Sequence, residues 1–303
     1  MRAILALTLL AACTPETTDA PDDTSDTSDT DDTPAGPDIT VAAEDLATLR
    51  DAAPNADGSR IWYVADRAPG DAALFEAGTS TAIAGGFVRL DNLVLSSDAT
   101  RAWVTGEGDA GPVLASITLA TGAVEEVEAA AAYEPLGLDL TVEAGADTLW
   151  FSGFDPDSGE VGVFRLDPST GAITPFATAD LDAPGGLTRG ADGAVWLAGA
   201  GAAGGEVHRL DGTTDTTVNA DVILGDPAGV ALTSDGSTLL VSSLSADGTS
   251  QALLIDTTTH AASAFNAVIG VNHASGGLHR ALDGDVFAWA DSEASGKVYR
   301  IRL

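Results

Sequence analysis

From residue 38 onward the chain alternates short apolar runs with clusters of Gly, Asp, Ser, Thr and Pro. No segment shows apolar residues recurring at the helical period, so the runs predict strands separated by turns. One phrase recurs: a Gly or Pro turn, a short apolar run, an Asp-Gly-like turn, then a strand with a large apolar anchor. Its clearest copy is Ala183-Pro184-Gly185-Gly186-Leu187 followed by Ala191-Asp192-Gly193-Ala194-Val195-Trp196-Leu197. Asp226-Pro227-Ala228-Gly229-Val230 leads to Leu240 through Asp235-Gly236, and Ser275-Gly276-Gly277-Leu278 leads to Phe287 through Asp283-Gly284. Looser copies carry Asp57-Gly58 with Trp62, Asp98 with Trp103, and Gly145-Ala146-Asp147 with Trp150.

The six anchors are spaced by 41, 47, 46, 44 and 47 residues. Each is followed by a second strand, such as Val161 to Asp167 or Glu206 to Leu210, and then by a further short one. Four short strands in each unit of this length form a propeller blade. Solenoid repeats are mostly shorter, and sandwich domains do not hold one phase through six copies. The fold class expected is therefore all-β: a six-bladed β-propeller with four antiparallel strands per blade. The sixth repeat ends after its third strand, and Asp38 to Ala43 has strand character. That N-terminal strand is expected to close the last blade and protect its edge. The Trp row is expected to be inter-blade core; a carbohydrate-stacking row would need exposed rings instead.

The N-terminus reads differently. Met1-Arg2 is followed by a short apolar stretch, Ala3 to Leu10, too short to span a bilayer as a helix. With Leu10-Ala11-Ala12-Cys13 it reads as a secretory signal, and it resembles a bacterial lipobox. That resemblance implies lipidation of Cys13, cleavage before it, and anchoring through several acyl chains. Thr14 after the Cys, by resemblance to the enterobacterial sorting rule, implies the outer membrane. Residues 14 to 37 contain only Ala, Thr, Ser, Pro, Gly and acids, which bury no apolar area and so do not offset the entropy of ordering. The expected organisation is a signal peptide over 1–12, a lipidated Cys and disordered acidic tether over 13–37, and the propeller over 38–303. Weak Ca²⁺ binding by the tether is one reading; a solvated spacer is the simpler one, since no Gly-centred loop arranges the carboxylates. No other cofactor is expected.

Charge narrows the partners. The 303 residues carry 46 acids against 13 Lys and Arg, a net charge of −33. This argues against nucleic acid, whose phosphates require a basic face. A single Cys excludes a disulfide framework and a Cys-rich zinc site. Mutual repulsion favours a soluble monomer. The partners expected are the membrane, through the lipid, and a protein or glycan.

The repeats carry the phrase P-x-G-[LV]-x-x-x-x-D-G-x-x-[LW], and over most of residues 46 to 303 the chain resembles the superfamily of calcium-dependent phosphotriesterase, gluconolactonase and NHL-type propellers. For the gluconolactonase branch the resemblance implies a central metal held by a Glu, by the Asn of Pro-Asn-Gly and by the Asp of Pro-Asp-Gly, which polarises a lactone and activates water. Here the matching phrases are Pro227-Ala228-Gly229 and Pro184-Gly185-Gly186, whose middle residues have no ligating oxygen; Asp51 is the candidate for the Glu. The repeats are also similar to those of streptogramin lyases, which implies a His acid/base and Mg²⁺. Asn272-His273 and His279 are the candidates there, although that family has seven blades.

By repeat position, Asp91, Asn92, Glu134, Asp182, Asp226 and His273 fall in loops entering the innermost strands and are expected to ring one mouth of the channel. Converging carboxylates raise one another's pKa or recruit a cation; the plainer expectation is that each caps its own turn. No Gly-x-Ser-x-Gly, P-loop or His-Glu-x-x-His motif is present. Asp155-Pro156-Asp157-Ser158-Gly159 reads as a β-turn, because it lacks the distal Glu of a Ca²⁺ loop. The function expected is a membrane-anchored, extracytoplasmic, non-catalytic binding or scaffold module in the cell envelope. The alternative is a divergent metal-dependent hydrolase or lyase using the acidic mouth.

Overall fold

The computed structural model describes residues 37–202, 204–218, 224, 229–244, 250–265, 277–292 and 296–303. Its first strand, β1 (Asp38–Ala43), belongs to the last sheet. Blade 1 is β2 (Leu49–Pro54), β3 (Ile61–Ala68), β4 (Asp71–Glu76) and β5 (Ala84–Phe87); blade 2 is β6 (Arg89–Leu95), β7 (Arg101–Gly108), β8 (Gly111–Thr118) and β9 (Val124–Glu126). After a 3-10 turn, Glu128–Tyr133, blade 3 is β10 (Leu138–Glu143), β11 (Ala146–Phe154), β12 (Val161–Asp167) and β13 (Ala172–Thr178). Blade 4 is β14 (Ala183–Arg189), β15 (Val195–Gly201), β16 (Gly204–Leu210) and β17 (Asp215–Thr217), and blade 5 is β18 (Gly229–Leu232), β19 (Thr238–Leu244), β20 (Ser250–Asp256) and β21 (Ala262–Ala264). Blade 6 is β22 (Leu278–Arg280), β23 (Val286–Asp291), β24 (Lys297–Arg302) and, outermost, β1.

The closing strand sits where the repeat pattern places it. β1 pairs antiparallel with β24, with Ile39 opposite Ile301 and Val41 opposite Tyr299. Six apolar clusters fill the six seams, and the one joining blades 6 and 1 contains Ala288, Ala290, Tyr63 and Ile61. The ring is closed. Each sheet is packed on both faces, which is why its second strand is a continuous apolar run rather than an alternating one. In β3, Ile61, Tyr63 and Ala65 join the seam with blade 6, while Trp62 and Val64 join the seam with blade 2. This is the two-residue period of a strand.

The Trp row is inter-blade core. Trp62, Trp103, Trp150 and Trp196 lie in four successive seams and, with Trp289, are 1–4% exposed. Trp150 also donates from Nε1 to Thr141 Oγ1 at 3.0 Å. The anchors Trp62 to Leu240 each face the following blade, but Phe287 does not. It packs with Trp289 against blade 5, so Ala288 takes the repeat position toward blade 1. Counting residues from the Asp-Gly turn is off by one in blade 6, because turn length varies between repeats.

Turns also link the blades. Ser97 N donates to Asp147 Oδ2 at 3.1 Å, Ser234 N to Asp285 Oδ1 at 2.6 Å, and Asp283 N to the Ala56 carbonyl at 2.7 Å. Other turn acids cap their own turns: Asp155 Oδ1 accepts from Asp157 N and Ser158 N, both at 2.9 Å. Hydrogen bonds of this kind hold the carboxyls of Asp155, Asp167 and Asp235 below the usual range.

Candidate functional site

The innermost strands of the six blades surround the axis. At the level of the Trp row, the residues on their faces toward the following blade are Ala53, Val94, Asp139, Thr188, Ala231 and His279. Only two of these ionise, and they belong to blades 3 and 6, opposite each other in a six-membered ring.

His279 is almost fully buried, and Asp51 is completely so. His279 Nε2 meets Asp51 Oδ2 at 2.9 Å, and the same oxygen accepts from the Leu93 amide of blade 2 at 2.7 Å. Asp51 Oδ1 accepts from its neighbour Ala52 N at 2.7 Å. One carboxylate on blade 1 therefore joins blades 6 and 2. Asp139 repeats the device between blades 3 and 4, accepting from Leu140 N at 2.8 Å and from Arg189 N at 2.7 Å. Both arise from an Asp set within an inner strand, Asp51 in Leu49–Pro54 and Asp139 in Leu138–Glu143. Asp51, wholly buried, has no solvent to turn to and takes the amides within reach; Asp139 is half-buried and takes two as well.

The electrostatics follow from burial and charge. Burial alone would lower the pKa of His279, but the Asp51 charge, its hydrogen bond and the Asp139 charge outweigh it and hold the pKa above the ordinary 6.5. Burial pushes the Asp139 carboxyl up, offset in part by the Arg189 amide, His279 and Arg280. Two cavities of about 20 and 50 Å³ adjoin these groups, both lined by Asp139, His279 and Arg280. Such volumes have room for one to a few waters, far short of the ~300 Å³ that an organic ligand commonly needs. An Asp-oriented imidazole is the geometry of a general base, but among the described residues no substrate-sized space adjoins it.

The mouth residues expected from the sequence are only partly assembled. Asp91 and Asn92 lie within β6, beside a bulge between Leu90 and Asn92, rather than in the loop before it. Asp91 is engaged by Arg89 Nε at 2.7 Å and by Arg50 Nη1 at 3.7 Å; burial raises its pKa, and the two Arg partly offset that. Asn92 is fully buried, donating from Nδ2 to the Asp91 carbonyl at 3.1 Å. Glu134 is exposed, in the left-handed region at φ 46° where the 3-10 turn ends. Asp91 and Glu134 share a cavity of about 280 Å³ with Arg89, Glu107 and Phe154. Asp182 does not line it; it is exposed just ahead of β14, its amide donating to the Ala200 carbonyl at 2.7 Å. Asp226, His273 and Cys13 lie outside the described residues. Asp139 escaped the sequence reading. Its signal was a lone Asp inside the run Leu138-Asp139-Leu140.

Among the described residues, no three His, Cys, Asp or Glu side chains converge as a metal site. The class these observations define is an all-β, six-bladed propeller whose innermost strands are joined between neighbouring blades by ionic and hydrogen-bonded contacts. No protein-family model and no curated protein matches the chain. Solved structures do. TolB from Acinetobacter baumannii superposes with a TM-score of 0.60 at 12% identity, over 82% of this chain and 65% of that one. A luciferin-regenerating enzyme gives 0.57 at 13% identity, over 88% and 96% of the two chains. Hydrazine synthase of Kuenenia stuttgartiensis gives 0.54 at 12%, over 86% and 96%. At these identities the likeness is one of fold, and the variety of names is what a widely used fold produces.

Proposed function

We propose that the chain is a lipid-anchored, extracytoplasmic propeller that acts as a non-catalytic binding or scaffold module for a protein or glycan partner. The observation that carries this reading is the burial of Asp51 and its engagement by three donors. This carboxylate, the candidate for the metal-binding Glu of the gluconolactonase branch, is buried and accepts from Ala52 N, Leu93 N and His279 Nε2. A ligand to a hard cation has to offer free oxygen lone pairs toward a converging set. Ala228 and Gly185, at the other two ligand positions of that resemblance, offer none in their side chains. The superfamily likeness is then one of scaffold. Anchoring rests on Leu10-Ala11-Ala12-Cys13, and an outer-membrane address on Thr14; an acidic segment between lipid and propeller suits presentation to a partner in the cell envelope.

Two experiments test it. Purified protein is assayed for lactone and phosphotriester hydrolysis with millimolar Ca²⁺, Mg²⁺ or Zn²⁺, and melted in parallel. A cation bound only by the folded state raises the melting temperature; neither turnover nor a shift is expected. Cation-dependent turnover that disappears in Glu134→Gln or Asp226→Asn would establish the hydrolase alternative instead. For the anchor, full-length protein and Cys13→Ala are expressed in bacteria fed labelled palmitate. Label confined to the parent chain is expected, and an unlabelled parent chain overturns the anchor.

A further inference from the structure

Away from the axis, a second buried histidine is held by two acids at once. His208 lies within β16, its side chain only 3% exposed. Its ladder neighbour Leu197 belongs to the apolar seam between blades 3 and 4. His208 Nδ1 meets Asp215 Oδ1 at 2.6 Å, and Nε2 meets Glu206 Oε2 at 2.9 Å. Glu206 stands two residues earlier, on the same face of the strand. Asp215 opens β17, and its other oxygen accepts from the Asp180 amide at 2.9 Å. Asp180 belongs to the connector from blade 3, so one imidazole joins β16, β17 and that connector.

The number of protons decides what this arrangement can do. A carboxylate accepts hydrogen bonds and donates none, and a neutral imidazole carries a single N–H. Both acids are satisfied together only by an imidazolium, which donates from both nitrogens. A neutral ring turns a lone pair toward one of them, and two acceptors held in contact beside a buried ring repel. The other charged groups around the ring are committed or apart. Blade 3 brings Val161, Val163, Phe176 and Ala177 to the seam, and Arg165 and Arg189 both pair with Glu143. Arg209, on the opposite face of β16, pairs with Asp192, and the connector's Asp180 and Asp182 are exposed. Among the described residues no Lys or Arg pairs with Glu206 or Asp215; their counter-charge is His208.

We propose that His208 is a proton-operated clasp on the outer corner of blade 4: with both ring nitrogens protonated it holds Glu206 and Asp215 and keeps β17 docked, and with one it lets β17 loosen. The edge strand is where release takes effect. β17 is three residues long and wholly exposed, and it meets β16 at three register positions, one of them Thr217 opposite His208 itself. Its first residue is the clasped Asp215. Its departure bares the edge of β16, and a bare edge is a template for another strand. Acid therefore closes the corner and alkali opens it. The clasp is independent of membrane anchoring and of whether the axial groups catalyse anything.

The test is solution NMR of the full chain from about pH 5 to about pH 9, which spans the range in which imidazoles change charge. Two sets of signals are followed: the ring nitrogens of His208, assigned by their loss in His208→Gln, and the backbone amides of Asp215, Thr216 and Thr217. Both ring nitrogens are expected to carry protons at the acid end. As one proton leaves, the three amides are expected to shift and lose protection in step with the ring. The readout is local because His279 also titrates and would contribute to a global melt. Glu206→Gln offers a side-chain N–H to the lone pair of a neutral ring, so in that variant the ring still titrates while the three amides stay fixed. Should a variant fold poorly, the parent chain alone is decisive. A ring that keeps one charge state throughout, a neutral ring at the acid end, or amides of 215–217 that ignore the ring's titration would overturn the proposal.

Discussion

Asp51 Oδ2 receives His279 Nε2 at 2.9 Å, across 228 residues of chain and across the seam where the last blade meets the first. The β1–β24 ladder closes the ring at its outer edge, and this contact closes it near the axis. Because Asp51 also accepts from Leu93 of blade 2, three of the six blades depend on one side chain.

Asp51→Ala removes an acceptor from two backbone amides and leaves His279 buried beside no direct partner. Breaking a buried pair from one side costs about 3–5 kcal/mol. Urea unfolding is expected to show a loss of that order, with Asp51→Asn less severe because it keeps one carbonyl acceptor. A cost inside the ~0.5 kcal/mol typical of surface substitutions would mean that the contact is not formed.

The pH dependence has a definite sign. A His whose folded pKa is raised above its unfolded value contributes stability that is complete below that unfolded value, near 6.5, and is lost as pH rises through the folded one. Asp139, also raised, acts in the same direction in a lower window that begins near 3.8. The difference in melting temperature between the parent chain and His279→Gln is therefore expected to be largest near pH 6 and to shrink toward pH 9. A difference that grows with pH would reverse the assignment.

Deleting residues 1–43 removes β1 and leaves β24 with an unpaired edge. Open edges pair with other chains. A chain beginning at residue 44 is expected to melt lower and to self-associate in light scattering, while one beginning at residue 37 remains monomeric. Identical behaviour of the two would show that ring closure does not require β1.

Two glycines of β7 separate packing from propensity. A Cβ at Gly106 would lie 2.1 Å from the Arg89 carbonyl oxygen and 2.8 Å from the Leu90 Cα, whereas one at Gly108 meets nothing nearer than 4.0 Å. Backbone atoms cannot swing aside as side chains do. Gly106→Ala is expected to cost at least the ~1–3 kcal/mol of core overpacking, and Gly108→Ala to stay within about 0.5 kcal/mol, both by denaturant melts.

The repeat and the strand count were readable because each is local, and the closing strand because the sixth repeat ends one strand short. An apolar run between turn residues becomes a strand through its own sterics and burial, and six copies of one phrase become six sheets. Asp155 as a turn cap was readable for the same reason, since the amides that donate to it lie two and three residues ahead. The polar mouth was harder to read. Asp91 appeared to be a loop acid, but a bulge draws it into β6 and two Arg engage it there.

Strand periodicity, turn chemistry and repeat length are written along the chain, and they suffice for a propeller of six blades closed by its first strand. The pairing of Asp51 with His279 and the shift of Phe287 onto the blade 5 face are not written there. Each depends on which faces of distant strands meet once the sheets are arranged around an axis. That arrangement is set by turn lengths and bulges that shift register by single residues, and a one-residue shift moves a side chain from one seam to the other.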